Sequence, residues 1–186
     1  MKLGKTFYTS APAKWRAWLK KHHKTEQEIW LVFYRKETGK PRVSYNDAVD
    51  EALCFGWIDS TVKRIDNESF AQRFSPRKPG SNLSQANRER IRKLIVQKRM
   101  TDAGLAAVAH AFSPQTRFVV PAEILESLKA DRDAWKNFQN FPESYKRIRI
   151  AYIESRKRHG QEMFERSLKY FIKMTAKNRR IGFIKE

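Results

Sequence analysis

The chain has a single cysteine, Cys54, in 186 residues. No internal disulfide can form, and no cysteine-rich metal site can be assembled. Glycine is scarce at seven residues, and none falls in a GxGxxG or P-loop spacing, so the common phosphate-cradling nucleotide loops are missing. Long apolar runs are missing too. The longest, "IWLVFY" at 29–34, is far short of the roughly 20 residues that cross a bilayer. The opening "MKLGKTFYTSAPAKW" lacks the apolar centre of a signal peptide, so a cytoplasmic protein is expected. Acidic residues number only 20 against 39 lysines and arginines, a net charge of +19. Such a field attracts polyanions: nucleic acid first, with acidic proteins and membrane headgroups exerting the same pull.

What the chain does have is apolar mass. Its hydrophobic fraction is 40%, with 12 Phe, 6 Tyr and 5 Trp, enough for a packed core in a chain of this length. "SAPAKWRAWLKKHH" reads as a helix with Ser10 as N-cap, Pro12 in its first turn and Trp15, Trp18 and Leu19 on one face. "EIWLVFYR" reads as a buried strand. "SYNDAVDEALCFG" is a helix capped by Ser44, with Asp47 completing a capping box and Gly56 ending it. Segments 57–64 and 69–75 form a hairpin joined by "IDNES". Ser84 caps a helix with Ile91, Leu94 and Ile95 as its stripe, and Thr101 caps a shorter one. From Pro121 the pattern is helical throughout.

The expected fold is therefore α+β: a small antiparallel sheet packed with helices over residues 1–110, an extended segment at 111–120, and a basic helical region at 121–186. Within 145–186, thirteen basic residues face four acidic ones.

Chemistry concentrates in the hairpin and the loop after it. Strict alternation puts Asp59, Thr61 and Lys63 on one face of the first strand, with Asp59 able to meet Arg73 across the sheet. One reading is a solvated sheet face with a modest ion pair. The other is an anion pocket continued by Arg77, Lys78, Ser81 and the capped start of the following helix. Asp59 is the only evident general base there, and neighbouring cations make it a poor one near neutral pH, so no catalytic residue is assigned. His22 and His23 diverge by about 100° on a helix, His110 and His159 stand alone, and no metal or other cofactor is implied. The Trp15 and Trp18 stripe suits a core better than base stacking. The basic helices carry sound apolar stripes, so their Lys and Arg residues read equally as solvated faces or as polyanion contacts.

The blocks "ALCFGWIDS", "QRFSPRKPGSNLSQANRERIRKLI" and "RMTDAGLAAV" resemble signature blocks of the bacterial YdeI/OmpD-associated, or bacteriocin-protection, family, itself grouped with YjbR/CyaY-like proteins. The resemblance implies a compact α+β domain with an antiparallel sheet. It places the family pattern on, among others, Trp57, Asp59, Gln72, Arg73, Arg77, Ser81, Ser84, Asn87 and Arg99. Leu83 stands where a tryptophan is usual, and "ESRKRHGQEMFER" replaces the family's C-terminal motif. The expectation is a non-catalytic binder of an anionic partner, with nucleic acid foremost and an acidic protein or a small anionic metabolite acted on by an enzyme as alternatives. Asp59, Arg73, Arg77, Ser81 and Asn87 would hold the ligand; Lys78, Arg88, Arg156, Lys157 and Arg158 would touch nucleic acid.

Overall fold

In the computed structural model, which describes residues 3–112 and 118–182, the apolar run at 29–34 is strand β2 (Ile29–Tyr34). It lies inside a four-stranded sheet of order β1-β2-β4-β3, with β1 at Thr6–Tyr8, β3 at Trp57–Arg64 and β4 at Ser69–Pro76. β2 with β4 and β3 with β4 run antiparallel, as a short hairpin connection requires. The sheet is nevertheless mixed. β1 pairs parallel to β2, because helix α1 (Pro12–His22) carries the chain back before β2 begins. A three-residue strand has no periodicity to read, and so β1 was not legible in the sequence.

The chain divides into two compact units, Met1–Pro114 and Gln115–Glu186. In the first, α1, α2 (Tyr45–Cys54), α3 (Gln85–Val96) and α4 (Asp102–Val108) accompany the sheet. Alternation along β2 sends Ile29, Leu31 and Phe33 into a core with Trp15, Leu19, Ala52, Leu53, Phe74, Ile91 and Leu94. Trp15 and Trp18 stack at 5.3 Å between ring centroids within that cluster, which settles their role as packing. Leu83 is buried in the same core.

Three helix starts follow the capping rules. Ser44 accepts from the Asp47 N–H at 3.0 Å, Ser84 from Asn87 at 3.3 Å and Thr101 from Gly104 at 3.2 Å. Ser10 does not cap α1. Ala11 holds that position, and Thr9 accepts the Ala11 N–H instead at 3.1 Å.

The second unit contains α5 (Ala122–Ala130), α6 (Arg132–Asn140), α7 (Glu143–Ser155), a 3-10 turn at Arg156–His159 and α8 (Gln161–Ala176). Ile124, Leu128, Phe138, Ile150, Phe164 and Phe171 form its separate core. The extended reading of 111–120 falls largely on residues 113–117, outside the described residues. No described helix is long and apolar enough to cross a membrane.

Candidate functional site

The hairpin register decides which polar side chains meet. Asp59 opposes Phe74, and Val62 opposes Gln72: three steps on β3 match two on β4, the signature of a β-bulge at Ser60 and Thr61. The bulge breaks the strict alternation. Asp59 shares the helix-side face with Phe74 and Gln72, while Arg73 points to the other face, so the Asp59–Arg73 pair does not form.

Asp59 is held instead by neutral donors. Tyr45 Oη, in the first turn of α2, donates to Asp59 Oδ2 at 2.7 Å. The buried Gln72 amide donates to the same oxygen at 3.2 Å and to the Ser60 carbonyl at 3.2 Å. Burial, followed by the hydrogen bond to Asp59, pushes the Tyr45 hydroxyl up to about 12. A free tyrosine titrates near ~10. In the unfolded chain Tyr45 therefore loses its proton first, so this contribution to stability is complete below pH ~10 and disappears as pH rises through about 12. A phenolate absorbance titration should show a late step that Tyr45→Phe deletes. An unchanged titration curve in that variant would show that Tyr45 is not the late group.

On the opposite face, Arg73 Nε donates to Glu28 Oε2 at 2.6 Å, and Glu28 also accepts from Trp30 Nε1 at 3.1 Å. Arg73 is the main reason the Glu28 carboxyl lies below the usual carboxylate range. Lys63 sits 5.2 Å from the Trp30 ring centroid. The charge of Arg73 is thus already matched within the fold.

The loop after β4 is different. Arg77 Nη2 donates to Ser81 Oγ at 3.2 Å and to the Asn82 carbonyl at 2.9 Å. Arg88 Nε donates to the Leu83 carbonyl at 3.2 Å, and His110 Nε2 lies 3.1 Å from the Ser81 carbonyl oxygen. Two guanidiniums and an imidazole therefore gather on residues 81–83, just before the capped start of α3. Lys78 is exposed nearby in sequence. Among the described residues, Arg77, Lys78 and Arg88 have no carboxylate in an ion pair. Burial holds Arg77 below the usual arginine value, and its buried Nε has no hydrogen-bond partner. Asn87 contributes its N–H to the Ser84 cap.

In the helical unit the expected contacts are partly occupied. Lys157 bridges Glu123 and Glu154 at 3.1 Å each, and Glu123 first, then Glu154, raises its pKa. Arg156 lies 5.7 Å from the Tyr152 ring centroid, and Arg158 Nε donates to His159 Nε2 at 3.0 Å.

Sequence reasoning missed Tyr45, Glu28 and His110. Each reaches its partner through tertiary structure, over 14, 45 and 29 positions respectively. Only Tyr45, next to a capping serine, had a local cue.

Residues 7–107 match the family model described as Domain of unknown function (DUF8412), which covers more than half of the chain. The chain belongs to that family. Residues 117–178 match a second model, described as Bacteriocin-protection, YdeI or OmpD-Associated. The bacteriocin-protection likeness thus attaches to the helical unit. The hairpin and loop blocks at 52–108, which suggested it from sequence, lie instead almost wholly in the region of unknown function. No curated protein and no solved structure matches the chain.

Proposed function

We propose that this protein is a non-catalytic binder of an anionic partner, nucleic acid, acting in the cytoplasm. The observation that carries the reading is the loop at 77–88. Arg77, Lys78 and Arg88 have no carboxylate partner among the described residues, and they adjoin the start of a 12-residue helix. Oriented N–H groups at such a start favour phosphate oxygens, and planar guanidiniums add paired donors. The net charge of +19 adds long-range attraction. Asp59 and Arg73 then act as structural supports of the hairpin, and kinship with YjbR/CyaY-like proteins belongs to this reading as a proposal. Protection against bacteriocins, named by the model that matches 117–178, would be the cellular setting of the binding.

The test is fluorescence anisotropy of labelled single- and double-stranded oligonucleotides as salt is raised. With about six or more phosphate contacts, affinity should fall at least roughly a thousandfold between about 50 and 200 mM salt. The Lys78→Ala, Arg88→Ala double variant should lose about tenfold in affinity at low salt and reduce the salt slope by about two. Absent binding at low salt, or binding flat with salt, would overturn the reading. Pull-down partners that survive nuclease treatment would point to an acidic protein instead.

A further inference from the structure

The helical unit contains an open groove of about 760 Å³ that the anion-binding loop does not involve. That volume lies within the ~300–1,000 Å³ usual for small-ligand sites. Its floor is apolar, made by Leu168, Ile172 and Ala176 of α8. One rim is mainly basic: after Glu165, which accepts from Gln161 Nε2 at 3.0 Å, Lys169, Lys173 and Lys177 recur every fourth residue, a spacing of about 6 Å along one side of the helix. The other rim is acidic, formed by Asp131 and Asp133 at the start of α6, with Glu123 of α5 already held by Lys157.

Charges of opposite sign thus line one groove without pairing. Among the described residues, Asp131, Asp133, Lys169, Lys173 and Lys177 make no ion pair. A ligand that matches both rims and the floor has an ammonium at one end, a carboxylate at the other and apolar side chains between them.

We propose that this groove binds short peptides in their zwitterionic form, with the amino terminus toward Asp131 and Asp133, the carboxylate toward the three lysines, and apolar side chains on Leu168, Ile172 and Ala176. The size is consistent. Packed helices lie about 8–10 Å apart, and an extended tripeptide reaches about 10 Å between its charged ends.

The probe is trileucine, titrated into the isotope-labelled full chain and followed by amide chemical shifts. Saturable shifts confined to α5, α6 and α8 are expected at millimolar peptide. Acetylating the amino terminus or amidating the carboxylate should each weaken binding by about fivefold or more, the scale of one charge-assisted contact. An Asp131→Asn, Asp133→Asn variant keeps an equally good helix cap; it should become indifferent to acetylation and stay sensitive to amidation. Lys169→Gln, Lys173→Gln, Lys177→Gln together should show the converse. Both variants should bind oligonucleotide within about threefold of the parent, because neither changes a residue of the 77–88 loop. The proposal is overturned by absence of saturable shifts, by equal affinity for blocked and free peptide, or by variants that keep both sensitivities.

Discussion

Replacing Glu51 with glutamine is expected to destabilise the Met1–Pro114 unit by about 2–3 kcal/mol. Glu51 is 5% exposed and projects from α2 between two arginines. Arg16 Nη1 of α1 donates to Oε2 at 2.7 Å, and Arg99 Nη2 donates to Oε1 at 2.7 Å. Arg16 Nη2 also donates to the Arg99 carbonyl at 3.0 Å, so one carboxylate ties α1, α2 and the turn before α4 together. Glutamine keeps the shape but has one oxygen, and its NH2 must face one of the guanidiniums. A donor then meets a donor at a site where water is largely excluded. Each arginine side chain is 35% exposed, so solvent recovers part of the loss and the figure stays below that for a fully buried pair. Calorimetry of the full chain should show the transition of this unit shifted down by about 10 °C, with the transition of the helical unit unmoved. A shift below about 2 °C would show that the two arginines are satisfied without the carboxylate.

Gly104→Ala is expected to cost about 3 kcal/mol, and by a different route. A Cβ at Gly104 would land on the Cys54 carbonyl, with the Leu53 carbonyl oxygen 3.0 Å away. These are backbone atoms at the end of α2, and they cannot swing aside as a side chain tip would. The Cys54 carbonyl also accepts the Thr101 N–H at 3.0 Å and the Thr101 hydroxyl at 2.6 Å, so moving it breaks the cap of α4. Alanine is the better helix former by about 1 kcal/mol, yet here the gain is outweighed by the contact. Denaturant unfolding read by near-ultraviolet circular dichroism should give a lower midpoint with an unchanged slope. A neutral or stabilising result would mean that α4 packs less closely than its glycine allows. His110 follows α4 and lies 3.1 Å from the Ser81 carbonyl oxygen, so a shift of α4 should also lower oligonucleotide affinity.

Local physics made most elements legible. The β-branched and aromatic run at 29–34, the serine and threonine caps before three helices, and the turn residues at 65–68 act over a few positions, and the structure contains those elements. The Trp15 and Trp18 stripe was likewise legible as core, because helical spacing alone puts both rings on one side. The site was legible in part. Loop 77–88 could be read as a cationic stretch before a capped helix. Asp59 does not pair with Arg73 because the strand register sets Asp59 opposite Phe74, and Arg73, one residue along, faces the other side of the sheet.

By itself the sequence determined the α+β class, the positive field and the places where helices begin, since composition, period and capping are properties of neighbouring residues. Tertiary structure alone decided that β1 joins the sheet in parallel and that Arg73 is neutralised by Glu28. It also decided that Asp59 rests on Tyr45 and Gln72, and that three lysines face two aspartates across a groove without pairing. Each of these depends on strand register or helix packing between residues far apart in the chain, where no local periodicity reaches.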